Sequence, residues 1–322
     1  MPVLSSAVTA RNRLDEDIAL GLSAAHWEWQ QMTPYLDDSW ARVGPRMTSL
    51  VTASQARTAE RAPLEVAQML DEQGLPFRTE GSVRPAALAG VASDGRALES
   101  LLYQSLVVTG GALNAGVSAH EAMALGWSWL EQAIATQIAD ANRVAAGAQA
   151  VLTPSATRQV RVVNPGACAR CIALAGIETY ATTAFERHPQ CRCKNVPTNR
   201  EIGTDVGTDP MDYFNSMSES AQDKTFTKSG AQAIRDGADF HQVVNSRRGM
   251  YSTAEGKFTT EGMTRRGYAH HVMGQNPNWR EQVGNSSTRF KVAARRLMPE
   301  QIYKVAKDRD DAIRLLKAFG YF

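Results

Sequence analysis

The 322-residue sequence predicts an α+β protein: a helical N-terminal region over residues 1–150, followed by a small, stapled α+β domain over residues 151–322. Three observations carry this expectation. Apolar residues recur at helical steps through the first half. A run alternating polar and apolar residues stands at 159–163. All four cysteines fall inside one 26-residue window, with a histidine among them.

The composition, 43% hydrophobic and 21% charged, is that of a chain able to bury a core. A net charge of +2 gives no global field that would draw the whole protein to nucleic acid or membrane. The first ten residues lack the basic and apolar stretches of a signal peptide, and Asp15, Glu16 and Asp17 follow at once. No apolar run approaches the roughly 18 residues of a bilayer span. The expectation is synthesis in a cytosol, where thiols stay reduced and clustered cysteines favour metal over disulfides.

In the first half, Leu14, Ile18, Leu22, Ala25 and Trp29 share one helical face, and Pro34 ends that helix. A second helical run is expected from about Pro45 to Arg61, with Pro63 opening a third as a first-turn proline. Residues 74–85, with Pro76 and Pro85, read as loop. The glycine-rich stretch from Thr109 to Gly116 lacks the Lys-Ser/Thr ending of a phosphate loop and reads as a helix break. Ser118 and Glu121 form a capping box that opens a long helix near 119–147. Its stripe of Met123, Trp127, Leu130, Ile134, Ile138 and Ala141 is read as core packing. The tryptophans, concentrated in this half, are read the same way.

Near 151 the character changes. Thr153-Pro154-Ser155 breaks the helix, the 159–163 alternation reads as a half-exposed strand, and Asn164-Pro165-Gly166 turns the chain into the cysteines. After them, 203–210 is a polar loop, 216–238 is helical, 241–290 is glycine- and threonine-rich and β-containing, and 299–319 is a short helical pair.

The cluster reads Cys168-Ala-Arg-Cys171, sixteen residues, then His188-Pro-Gln-Cys191-Arg-Cys193. A two-residue gap lets a turn aim two sulfurs at one ion, and the second group offers three further donors. Zinc takes four such donors in a tetrahedron, so five candidates compete for four places. The four thiolates are the simplest set, with His188 the rival for Cys191 or Cys193. Arg192 would point away from the metal, toward an acidic or phosphate group. A catalytic zinc of the deaminase kind would need an upstream His-x-Glu, which the adjacent pair His120-Glu121 does not supply. Haem attachment fails because Ile172 follows the second cysteine. A redox Cys-x-x-Cys leaves the downstream donors without a role. The reading is a small zinc-stapled α+β domain. His270 and His271, adjacent in an expected strand, would face opposite sides and are not read as a metal pair.

These residues resemble a known family. Cys168-x-x-Cys171-x-x-Leu174-Ala175-Gly176, then Phe185-x-x-His188-Pro-x-Cys191-x-Cys193 and Pro197, is similar to the MuF-like minor capsid (head morphogenesis) proteins of tailed bacteriophages, in their actinobacteriophage branch. The likeness continues through Gly230–Asp239, Val243–Met250, 259–267 and 296–303, and so covers about residues 158–322. It implies a non-enzymatic virion protein, present in few copies at the portal vertex or in the capsid interior. Its partners would be the portal protein, the major capsid protein and packaged double-stranded DNA, with the helical region docking on portal or capsid. Neither a small-molecule substrate nor a membrane segment is expected. The rival readings are a phage-encoded nuclease, protease or toxin-type enzyme built on such a domain, and a soluble DNA-binding module.

Residues 241–296 hold ten basic side chains against Glu255, Glu261 and Glu281, a local charge of +7. Arg247 with Arg248, and Arg265 with Arg266, stand beside glycines where backbone can approach a phosphate. They are the candidates for contact with DNA or an acidic partner. The plainer reading of the same residues is a solvated face with local ion pairs. No nucleophile with its base can be assembled from the sequence, and no catalytic residue is assigned.

Overall fold

The structure, a computed structural model, describes residues 4–163, 166–188, 191, 193–199, 208–283 and 290–322. It mixes helices, which predominate, with small sheets. The chain divides into two compact units: Met1–Ala167 with Ala175–Thr208, and Cys168–Leu174 with Asp209–Phe322.

The first unit is built on α1 (Ser5–Trp29), α2 (Leu36–Glu72), α3 (Leu98–Leu102), α4 (Gln104–Asn114) and α5 (Ala119–Val151). The expected face of α1 packs as read: Leu14, Ala25 and Trp29 are buried, and Ile18 and Leu22 lie against the same cluster. Leu130, Ile134 and Ile138 of α5 complete that cluster with Val43, Met47 and Val51 of α2. Ser118 caps α5 by accepting from the Glu121 N–H at 3.3 Å. The reciprocal half of the box differs, because the Glu121 carboxylate accepts from the Ser118 hydroxyl at 2.7 Å. Of the tryptophans, Trp29 and Trp40 are buried, while Trp27 is 62% exposed.

One break expected from sequence does not occur, because helix α2 continues through Pro45 and Pro63. The break expected over Thr109–Gly116 does occur, but late: α4 runs through Gly110 and Gly111 and ends at Asn114, before Gly116 at φ +81°. A proline inside a helix forfeits a backbone hydrogen bond and costs about 3 kcal/mol. Against that, α2 buries Val43, Met47, Val51, Val66, Met69 and Leu70. Each such side chain contributes about 1.5–3 kcal/mol, so packing outweighs local preference.

Helix α1 has no side-chain N-cap of its own. The Glu72 carboxylate at the end of α2 takes that place, accepting from the N–H groups of Ser5 and Ser6 at 2.8 Å each. Partial burial would raise the Glu72 pKa, but the hydrogen bonds from Ser6 and Ser5 outweigh it and lower it to about 2. A carboxyl depressed in the fold stabilises it fully above its unfolded value of 4.5, and loses that effect as pH falls toward 2. Because Glu72 is exposed, screening holds its worth to about 1 kcal/mol. Glu72→Gln is therefore expected to cost about that much at pH 7 and nothing near pH 2. Urea titrations of both proteins across that range check it.

Three strands close the first unit: β1 (Arg158–Val162), β2 (Glu178–Tyr180) and β3 (Lys194–Thr198). β1 lies in the centre, antiparallel to both neighbours, with Arg158 opposite Tyr180 and Val162 opposite Lys194. Val160, Val162 and Val196 pack on Ala7, Ala10 and Met69. The strand is not half exposed as its alternation suggests, since Gln159 and Arg161 on its polar side are buried too. Gln159 donates to the carbonyls of Thr183 at 2.6 Å and Tyr180 at 3.2 Å.

The second unit contains α6 (Ala169–Ala173) and the short helices α7 (Pro210–Ser216), α8 (Glu219–Phe226), α9 (Lys228–Arg235) and α10 (Phe240–Ser246). Asp209, Ser218, Thr227 and Asp239 cap the last four by accepting backbone N–H groups. Phe214, Phe226 and Phe240 meet edge to face at their centre, with ring centroids 5.2 to 6.3 Å apart. A hairpin of β4 (Met250–Thr253) and β5 (Gly256–Thr259) follows, then α11 (Tyr268–Met273). β6 (Arg280–Gln282) pairs with β7 (Phe290–Val292), and β8 (Arg296–Leu297) pairs with β5. The chain ends in α12 (Pro299–Val305) and α13 (Arg309–Ala318), the expected helical pair. The 241–290 stretch is thus β-containing but holds α11 as well, and His270 and His271 sit on that helix rather than a strand. The polar loop expected at 203–210 lies mostly outside the described residues. Among the described residues, no helix is long and apolar enough to cross a membrane.

Candidate metal centre

The antiparallel pairing of β1 with β3 brings the two halves of the cysteine cluster together. Val162 faces Lys194, so the chain leaving β1 and the chain entering β3 run side by side. Beyond β1, Cys168 stands at the N-cap position of α6 and Cys171 in its first turn, where residues three apart share a face. The chain then returns through Gly176, whose φ of +71° and close approach to the Thr208 carbonyl leave no room for a Cβ. Gly176 N–H donates to the Arg161 carbonyl at 2.9 Å, which seats the return against β1. In the second half, the Cys191 N–H donates to the His188 carbonyl at 3.1 Å, closing a turn.

The ligand atoms of Cys168, Cys171 and His188 lie within 4.8 Å of one another, and so do the sulfurs of Cys171, Cys191 and Cys193. Cys171 belongs to both groups. The five residues singled out from sequence are therefore brought to one locus, and the cluster could hold a metal ion. A tetrahedral ion with sulfur at about 2.3 Å sets its donors about 3.8 Å apart, which this spacing accommodates. Cys171, Cys191 and Cys193 are buried, and Cys168 is partly so. All four are thiols rather than disulfides. Arg192 lies outside the described residues.

Residues not singled out from sequence hold this loop. Arg143 of α5 donates through Nε to the Cys193 carbonyl at 3.3 Å and through Nη2 to the Cys191 carbonyl. Its Nη1 donates to Asp140 at 2.8 Å, and Asp140 also accepts from Arg187, next to His188. Arg161 of β1 stacks over Phe185, 4.1 Å from the ring centre, and donates to the Glu186 carbonyl. A signal existed: Asp140 and Arg143 are the only charged residues between 132 and 151, in the otherwise uncharged C-terminal part of α5. Asp140, Arg143 and Arg187 also line a cavity of about 1050 Å³, whose walls include Val66, Leu88, Val144 and Phe185.

The basic candidates separate. Arg247 pairs with Glu300 and is half-buried. Arg248, Arg265 and Arg266 are exposed, as is Lys257, and none of these four has an acidic partner among the described residues. Arg295 pairs with Glu255 and Lys291 with Glu281, both at 2.9 Å. Arg296 is fully buried. Arg289 lies outside the described residues.

Fold and site together define a mixed helical and β chain with a Cys/His cluster able to hold a metal. Comparison with protein families, curated proteins and solved structures finds no match to this chain.

Proposed function

We propose that this chain is a structural minor capsid, or head morphogenesis, protein of a tailed phage, of the MuF-like kind. In this reading it is not an enzyme, it works beside the portal, and zinc staples its Cys/His cluster. The observation that carries the reading is the convergence of Cys168, Cys171, His188, Cys191 and Cys193, the residues on which the resemblance rests, at one locus. The downstream blocks of the resemblance support it through contacts within the second unit. Arg247 of one block pairs with Glu300 of another, and Arg296 donates to the Glu261 carbonyl at 2.8 Å. The helical region would dock on the portal or capsid, with the virion as its destination.

The test is the copy number of the chain in purified particles, by quantitative mass spectrometry scaled to the portal protein. A handful to a few dozen copies, lost when the portal is missing, is the expected result. Absence from mature particles would overturn the reading and favour an assembly factor or an enzyme.

Arg248, Lys257, Arg265 and Arg266, exposed and with no acidic partner among the described residues, are the surface proposed to meet packaged DNA. Four phosphate contacts give a log–log salt slope of about −3.6. Replacing Arg265 and Arg266 with alanine is expected to reduce its magnitude by about 2. A slope near zero in filter binding would remove DNA as a partner and leave an acidic protein surface.

A further inference from the structure

We propose that Asp140 and Arg143 of α5 are positioning residues of the metal centre, holding His188, Cys191 and Cys193 in the conformation that binds the ion. The proposal rests on the metal reading of the Cys/His cluster.

The geometry is specific to a guanidinium. One Arg143 side chain donates to the carbonyls of both Cys191 and Cys193, and its remaining edge is fixed by Asp140. A planar fork of five donors can bind two carbonyls and a carboxylate at once, whereas an ammonium on a flexible stem has no such preset directions. Satisfying both carbonyls sets the spacing of the two cysteine backbones, and with it the direction of their side chains. Asp140 acts on the other donor. Its second oxygen accepts from Arg187, the residue before His188, and from the Ser93 hydroxyl. The side chains of Asp140 and Arg143 are both only 7% exposed, so neither bond competes with bulk water.

The same segment is fastened one residue at a time. Phe185 lies under the guanidinium groups of Arg161 and Arg143, the Glu186 carbonyl accepts from Arg161, and Arg187 is bound by Asp140. Partners beyond the ligands themselves govern metal affinity in this way, and their loss typically weakens binding roughly 10- to 100-fold.

The test uses the full chain with cobalt(II) as a spectroscopic probe and zinc by chelator competition. Wild type is expected to bind one ion per chain, with the charge-transfer band of cobalt–thiolate ligation. Arg143→Lys and Asp140→Asn are expected to bind roughly 10- to 100-fold more weakly, with altered visible bands. Asp17→Asn removes a comparably buried carboxylate that pairs with Arg61 in the helical bundle. It is expected to lower the unfolding midpoint while leaving metal affinity and spectrum unchanged, which separates positioning from general stability. Asp140→Asn keeps the side-chain volume and carries the test should Arg143→Lys fail to fold. Affinities and spectra of these variants equal to wild type would overturn the positioning role and leave the metal reading standing. A wild-type chain that takes up no metal would overturn both.

Discussion

Cys171→Ser is expected to abolish stoichiometric metal binding, whereas Cys168→Ser or His188→Asn weakens it. The difference follows from the arrangement of donors. Cys171 is the one residue common to both groups of closely spaced ligand atoms, while each of the others belongs to a single group. Its sulfur alone lies within 4.8 Å of all four other ligand atoms, so a set of four without it loses the donor that links the two groups. Structural zinc supplies on the order of 10 kcal/mol of folding energy in isolated zinc-finger peptides. Here its loss should be felt locally, because β1 and β3 are also held by the packing of Val160, Val162 and Val196 on Ala7, Ala10 and Met69. Chelation is therefore expected to release backbone protection around 168–193 and to spare the α2 and α5 core, as read by hydrogen-exchange mass spectrometry. Unchanged protection around the cysteines in metal-free protein would show that the staple is not metal.

The cluster was legible because cysteines and a histidine at ligand spacing have few uses besides metal binding where thiols stay reduced. The faces of α1 and α5 were legible for an equally local reason, since a helical period marks the buried side directly. What escaped the sequence depends on tertiary partners. Pro45 and Pro63 look like helix ends by local rules, and only the burial of α2 against its neighbours carries the helix through them. Gln159 and Arg161 look like the wet side of a strand. They are buried because the 176–187 segment folds back over them and supplies carbonyl acceptors. The basic stretch shows the limit of charge counting most clearly. Arg247 is taken up by Glu300 and Arg296 by the interior, so the cationic surface is smaller than the local +7 implies.

Replacing Arg296 with methionine is expected to destabilise the second unit by about 4 kcal/mol, although no carboxylate within salt-bridge distance pairs with it among the described residues. The side chain is fully buried. Its Nε donates to the Phe319 carbonyl at 2.9 Å, Nη1 to Glu261 at 2.8 Å, and Nη2 to Gly320 at 2.8 Å and the Gln242 side chain at 3.1 Å. Two of those carbonyls belong to the end of α13. There Gly320, at φ +70°, lets its own N–H reach the Lys317 carbonyl and the Tyr321 N–H reach that of Leu316. This is a Schellman turn, and it leaves the carbonyls of Phe319 and Gly320 pointing inward. The negative end of the helix dipole, together with Tyr321 stacked 4.2 Å below the guanidinium, takes the place of a counter-ion. Burial lowers the Arg296 pKa, while Tyr321 and the Glu261 carboxylate oppose that shift. The group nevertheless stays charged, since arginine does not lose its proton in proteins. Methionine matches the stem but donates nothing, so three backbone carbonyls are left buried without a donor. Each such orphan costs about 1–3 kcal/mol, less what relaxation and water recover. Lysine restores the charge without the fork, so Arg296→Lys should fall between wild type and Arg296→Met. Urea unfolding, with hydrogen exchange followed in peptides spanning 309–322, reads both variants. A methionine variant within about 1 kcal/mol of wild type would mean that the carbonyls find other donors, and that the buried arginine is not what closes this unit.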